Sequence, residues 1–223
     1  MDEVTAAVRA LPDKSCALDP LPTAQLKAVV DIIATFLTEL FNRSLVSGFV
    51  PEVFKVAYIT PLLKKSDMDL ADVRSYRQIS NLSVMSKLLE RLVVRQLLDY
   101  LNKSSLLPRL QSAYRVGHST ETAVLKVLSD ILLTIDSGDL PALVLLDLSA
   151  AFDTVDHDIL IRRLKTSYGL SGMVLQWFQT YLVGQSQCIR IGLSASLLTL
   201  IMCGVPQGPP FLALSCSCCA LPT

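Results

Sequence analysis

The sequence runs to 223 residues, 51% of them hydrophobic and 18% charged, with acids and bases in equal number. Such a chain can bury a sizeable core as one large domain or two small ones, which excludes a disordered or low-complexity protein. A formal net charge of zero gives no bulk pull toward nucleic acid, although basic side chains can still gather on one face.

No apolar run reaches bilayer length, and the opening MDEVTAAVRALPDKS lacks the basic start and long apolar stretch of a signal peptide. A cytoplasmic or nuclear chain is therefore expected. The six cysteines form no C-x-x-C pair and stand beside only two histidines, which argues against structural zinc.

In chain order, Asp2 to Leu11 reads as a short helix closed by Pro12, followed by a turn-rich joint from Lys14 to Pro22. Leu26, Val29, Val30, Ile33, Phe36, Leu37, Leu40 and Phe41 then repeat at helical spacing, with Gly48 as the stop. Phe54 to Leu63 reads as a strand, and Lys64-Lys65-Ser66 turns. Asn81 or Ser83 can cap a helix reaching Tyr100, with Met85, Leu88, Leu89, Leu92, Val93 and Leu97 buried. Lys87, Glu90, Arg91 and Arg95 form its wet face, and Arg95 and Asp99 are spaced to pair.

Gly117 allows a tight turn, and Ser119 with Thr122 starts a helix to Ile135 that carries Ala123, Val124, Val127, Leu128 and Ile131. His118 is a loop hydrogen-bonding residue on this reading. The stretch Pro141 to Leu164 organises the rest. Five apolar residues from Ala142 to Leu146 end on Asp147, which reads as a buried strand delivering a carboxylate at its carboxyl end. The next helix places Val155, Ile159, Leu160 and Leu164 on one face. Asp153, Asp156 and Asp158 cluster at its start, where the helix dipole favours negative charge. Met173 to Val183 is a further helix with Val174, Trp177, Phe178 and Tyr181 inward. Gln187 to Gly192 and Leu197 to Cys203 read as a hairpin.

The segment Leu143 to His157, LVLLDLSAAFDTVDH, resembles the first catalytic motif of reverse transcriptases from non-LTR, LINE-type retrotransposons. Other stretches follow in the family's order. Ser75 to Leu82 resembles Asn-Tyr-Arg-Pro-Ile-Ser-Leu, with Gln78 in place of proline. Gln111 to Thr120 resembles Gln-x-Gly-Phe-Arg-Pro-Gly-His-Ser-Thr, with Ala113 for the glycine and Val116 for the proline. Gly204 to Gly208 matches Gly-Val-Pro-Gln-Gly.

The resemblance implies an α/β (α+β) fold: a partial right-hand polymerase, helix-rich, with fingers, an incomplete palm and no thumb. Residues 1–50 would be a helical N-terminal extension, residues 51–208 the fingers and partial palm, and residues 209–223 a non-native tail. It assigns Asp147 to catalysis, and Asp147 with the carbonyl of Leu148 to Mg²⁺. Lys64, Lys65, Arg77, Phe152 and Gln207 would contact the nucleotide, with Arg77 on the triphosphate and Phe152 screening the sugar 2′ position. Gln111 and Arg115 would lie near the nucleic-acid template. The implied partners are an RNA template, a DNA primer and deoxynucleoside triphosphates.

Two-metal nucleotidyl transfer needs hard oxygen ligands, which the family draws from three acids, two of them in an aromatic-Ala-Asp-Asp hairpin. No Asp-Asp pair occurs in this sequence. The expectation is a truncated reverse transcriptase fragment without independent activity. The alternatives are a non-catalytic RNA- or DNA-binding or interaction module and an unfolded relic. The tail fits truncation: Pro210 to Ser217 is what the family's Ser-Val-Leu-Gly-Pro-Val-Leu-Phe gives when one of its codings is read one base late.

Overall fold

The computed structural model describes residues 1–13, 19–113, 115–146, 153–191 and 194–205. Within them the fold is α+β. Two helices, α1 (Asp2–Arg9) and α2 (Thr23–Ser47), precede the strands β1 (Val56–Leu63) and β2 (Tyr76–Asn81). Four helices follow: α3 (Val84–Lys103), α4 (Thr120–Asp136), α5 (His157–Thr166) and α6 (Gly172–Leu182). The strands β3 (Ser186–Ile191), β4 (Ser194–Ala195) and β5 (Thr199–Leu200) come last. No helix among the described residues is long and apolar enough to cross a membrane.

Helix boundaries follow local chemistry. Gly48 ends α2 in the left-handed region at φ 62°, and a Cβ there would lie 3.1 Å from the Met173 carbonyl oxygen. The Ser83 hydroxyl accepts from Ser86 N to cap α3, while the Asp19 carboxylate accepts from Val84 N. The chain before β1 thus helps to start the helix after β2. Ser119 and Thr122 form a reciprocal capping box on α4.

The core is helical. Leu26, Val30, Leu37 and Phe41 of α2 meet Leu88, Leu89, Leu92 and Leu101 of α3, together with Trp177, Phe178 and Tyr181 of α6. The expected α2 stripe is too wide, since Phe36 is 67% exposed. Val174 and Ile159 are also exposed rather than inward. On α3 the expected wet face is wrong at Glu90, which is 4% exposed. Ser86 and Val94 are buried on the same line of the helix, so Glu90 lies between two buried neighbours four residues either way. Arg95 and Asp99 form no ion pair.

The sheet order is β2-β1-β3-β4, with β5 also on β3. β1 and β2 form an antiparallel hairpin, Leu62 opposite Arg77, while β3 runs parallel to β1 with Ile189 opposite Ile59. The C-terminal hairpin therefore docks on the β1–β2 hairpin as one surface.

The strand expected from Ala142 to Leu146 does not form. Residues 141–146 have no regular structure, and Leu143 to Leu146 are 56% to 89% exposed. A strand needs partners for its N–H and C=O groups, and none of the five described strands pairs with this run. The helix before it behaves alike: α4 has no buried residue, and Val124, Leu125, Leu128 and Leu132 face solvent.

Two leucine truncations separate packed from unpacked apolar residues. Leu88→Ala, inside the core, is expected to lower the unfolding free energy by about 2–5 kcal/mol. Leu128→Ala on α4 is expected to change it by less than about 0.5 kcal/mol. Urea unfolding followed by circular dichroism measures both.

Candidate functional site

The β1–β2 hairpin presents the basic residues that the sequence singles out. Lys64 and Lys65 are exposed just past the end of β1. Lys64 N donates to the Ser75 carbonyl at 2.9 Å, and its ammonium donates to the Arg74 carbonyl at 2.7 Å. Arg77 occupies the β2 position opposite Leu62, two residues down the strand from Lys64. Local sequence builds the tip: Asp72 caps a 3₁₀ turn by accepting from Arg74 N, and the Tyr76 hydroxyl donates to the Leu70 carbonyl.

The 108–118 segment folds on itself. Arg115 donates from one terminal nitrogen to the carbonyls of Pro108 and Arg109, at 3.2 and 3.3 Å. Gln111 Nε2 donates to the Ala113 carbonyl at 3.2 Å. Gly117 turns the chain at φ 77°, and His118 Nδ1 lies 3.1 Å from the Val116 carbonyl oxygen, in the loop role expected for it. Both Gln111 and Arg115 thus bond to their own loop's backbone.

Asp147, Leu148, Phe152 and Gln207 lie outside the described residues, as does the expected frame-shifted tail. The segments flanking them are joined. Gly204 N donates to the Val155 carbonyl at 2.7 Å, and His157 Nε2 lies 2.7 Å from the Gly204 carbonyl oxygen. Cys203 Sγ approaches the Asp153 carbonyl at 3.3 Å. These contacts tie the chain just after Phe152 to the chain just before Gln207. A cleft of about 430 Å³ sits against this seam, with Ala57, Ser80, Gln185, Gln187 and Asp153 among its walls.

The acids after Asp147 divide by position. The Asp156 carboxylate accepts from Ile159 N and caps α5, and Asp158 sits in the first turn. Asp153 precedes the helix. Among the described residues no group of three or more His, Cys, Asp or Glu could hold a metal ion. Asp156 is thus committed to its helix, and the sequence contains no Asp-Asp pair.

Between α3 and α6 lies a polar pair that sequence reasoning missed. The Tyr181 hydroxyl donates to Glu90 Oε1 in the interior, joining α6 to α3. Burial raises the Glu90 carboxyl from its ordinary 4.5 to about 7, against the lowering effects of the Tyr181 hydrogen bond and the charges of Lys87 and Arg91. Burial, with the Glu90 charge, raises the Tyr181 phenol well above its ordinary value. The signal available in the sequence was the Ser86-Glu90-Val94 line at four-residue spacing, which puts Glu90 among the buried positions.

A family model described as reverse transcriptase (RNA-dependent DNA polymerase) matches residues 63–219. A probable RNA-directed DNA polymerase from transposon BS of Drosophila melanogaster is 32% identical over 209 residues, 93% of this chain and 23% of the relative. The RNA-directed DNA polymerase from mobile element jockey of Drosophila funebris is 29% identical over 209 residues, covering 93% and 22%. A probable RNA-directed DNA polymerase from transposon X-element of Drosophila melanogaster is 29% identical over 201 residues, covering 90% and 22%. The chain spans less than a quarter of the length of these relatives.

The buried carboxyl makes stability depend on pH. Glu90 holds its proton to higher pH in the folded state than in the unfolded one, so its favourable contribution is complete below about 4.5 and is lost as pH rises through about 7. Thermal melts from pH 5 to pH 8.5 are expected to show a decline worth on the order of 2–3 kcal/mol. Glu90→Gln, which keeps an acceptor for Tyr181 but does not titrate, is expected to flatten that slope.

Proposed function

The chain belongs to the reverse transcriptase family, in its non-LTR retrotransposon branch, and from that premise we propose that it forms the fingers and the first part of the palm of an RNA-directed DNA polymerase. The observation that carries this reading is the seam of backbone and imidazole contacts between residues 153–157 and 203–205. It supports a site where the chain around Asp147 and Phe152 meets the chain around Gln207, beside the β1–β2 hairpin, whose Ala57 and Ser80 wall the adjoining cleft.

In this reading Lys64, Lys65 and Arg77 hold the phosphates of an incoming deoxynucleoside triphosphate. An arginine suits this task because its guanidinium presents a rigid fork of donors to phosphate oxygens. Phe152 screens the sugar 2′ carbon and disfavours a ribose hydroxyl, while Gln207 borders the nucleotide near the primer end. Gln111 and Arg115 shape the loop along the RNA template. Mg²⁺ would supply activation of the primer 3′-OH and neutralisation of pyrophosphate, with Asp147 and the Leu148 carbonyl as two of its ligands. The remaining acids are not in this sequence, so the chain by itself does not extend a primer.

A chimera tests the assignment. Residues after Gly208 are replaced by the following region of the jockey polymerase from Drosophila funebris, and primer extension is measured on an RNA template with Mg²⁺. Extension is expected from the chimera and not from the 223-residue chain. Asp147→Ala in the chimera is expected to reduce it by at least about a hundredfold, since a metal ligand supports several kcal/mol of transition-state stabilisation. Extension that survives Asp147→Ala would refute the assignment.

A further inference from the structure

Helix α4 is amphipathic, and its apolar side covers nothing. Val124, Val127, Leu128, Leu132 and Ile135 fall on one side at helical spacing. Lys126 and Asp130 fall on the opposite side, where they form an ion pair. A surface helix patterned this way lays its apolar stripe on a core. Here the helix has no buried residue, and those five side chains are 40% to 59% exposed. The next segment has the same deficit. A turn at Gly138, φ 82°, leads into the apolar run 142–146. Leu143 to Leu146 are exposed, and the run pairs with none of the described strands.

Area and symmetry select the partner. An aliphatic side chain exposed to this degree keeps on the order of 100 Å² in water. The five on α4 and the four in the run therefore offer roughly 900 Å² per chain, against the ~800 Å² that each partner gives to a stable interface of standard size. An ordinary monomer's largest apolar patch is about 300–600 Å². A two-fold axis matches this surface to itself, because apolar cover is what each copy lacks and also what it presents. Two copies of 142–146 brought together about such an axis form an antiparallel pair, and each supplies the ladder bonds the other needs. Acids and bases are equal in number, so two copies meet without net repulsion.

We propose that the apolar face of α4 and the run 142–146 form the two-fold interface of a homodimer of this chain. The occupant of the uncovered face is a second copy of the same face. The proposal uses only the exposed surface and its area, so it stands apart from the polymerase reading above. It also gives the capping box of α4 a purpose: the helix is built before its partner arrives, and association then buries the stripe that one chain leaves wet.

The test is analytical ultracentrifugation of the full chain from about 0.1 to 100 µM, a range that brackets the micromolar or tighter dissociation expected of an interface this size. A reversible transition from one chain to two is expected. Leu128→Glu combined with Leu132→Glu places like charges across the axis and is expected to raise the dissociation constant at least about a hundredfold. Both leucines are exposed in the single chain, so its fold tolerates the change, and circular dichroism checks this. Lys126→Ala, on the opposite side of α4, is the control and is expected to leave the dissociation constant unchanged. Leu128→Ala gives a second reading. It is neutral in dilute solution, where the chain is single, and its effect on urea unfolding is expected to grow with protein concentration, because unfolding then also separates the pair. A chain that stays single to about 100 µM overturns the proposal. In that case the face is left to another occupant, either this chain's own residues beyond Val205 or the region that follows Gly208 in the longer relatives. A dimer that survives the paired glutamates, or association without a defined mass, overturns it equally. Primer extension by the chimera reports separately on the polymerase reading, so either conclusion can fall without the other.

Discussion

The molecule is held together at Trp177. Its indole N–H donates to Ser44 Oγ at 3.0 Å, and that hydroxyl donates to the Phe49 carbonyl at 2.6 Å, which fixes α6 against the end of α2. The same ring stacks on Tyr181, with centroids 5.4 Å apart and planes 7° from parallel. Tyr181 in turn reaches Glu90 on α3. One aromatic pair therefore joins three helices from distant parts of the chain, and each buried polar atom along the path finds a partner. Leaving any one of them unpaired in this interior would carry the full desolvation cost. Because α6 runs directly into β3, the position of the sheet beside the seam is inherited from this junction.

Further from Trp177, order depends on what each segment can bury. α4 is well started, with a reciprocal capping box and an i,i+4 ion pair between Lys126 and Asp130. Even so, it buries nothing, and the apolar run after it is solvated. Local signals suffice to make a helix of 17 residues but cannot supply a surface to pack on. A strand is more demanding, because its backbone bonds come entirely from other segments. That difference explains why α4 forms while residues 141–146 remain irregular.

The same division separates what was legible in the sequence from what was not. Gly48 and Ser119 announced their helix ends, and Ser83 was one of two candidates for its own, because caps act over three or four residues. Trp177, Phe178 and Tyr181 were readable as core from their spacing. Glu90 was misread because its type outweighed its position. A carboxylate on a helix is ordinarily wet, and the phenol that makes its burial tolerable lies 91 residues away. The strand before Asp147 was misread for the converse reason: composition reports a preference for burial and pairing, not the presence of a partner. At the site, residues 153–157 and 203–205 are joined across the chain. One of these contacts is backbone to backbone and the other two each end on a backbone carbonyl, a partner that no side-chain pattern encodes.

That last point bears on how this chain can depart from its family's motifs and retain the arrangement around them. Gln78 and Val116 replace prolines, which fix φ, and Ala113 replaces a glycine, which frees it, yet β2 still pairs with β1 from Tyr76 to Asn81, and Gly117 still turns its loop. The hairpin is held by a ladder of six residue pairs, and the loop by three side-chain-to-carbonyl contacts from Gln111 and Arg115. A proline contributes by restricting the unfolded chain and pre-setting φ, an effect of about 1 kcal/mol or less. A cooperative ladder can absorb that loss. The acids of a metal site have no comparable redundancy, because each ligand fills its own coordination position and neighbouring carboxylates already serve their helix, as Asp156 does. Shape in this chain is therefore set by many replaceable contacts, whereas chemistry would rest on a few residues that cannot substitute for one another.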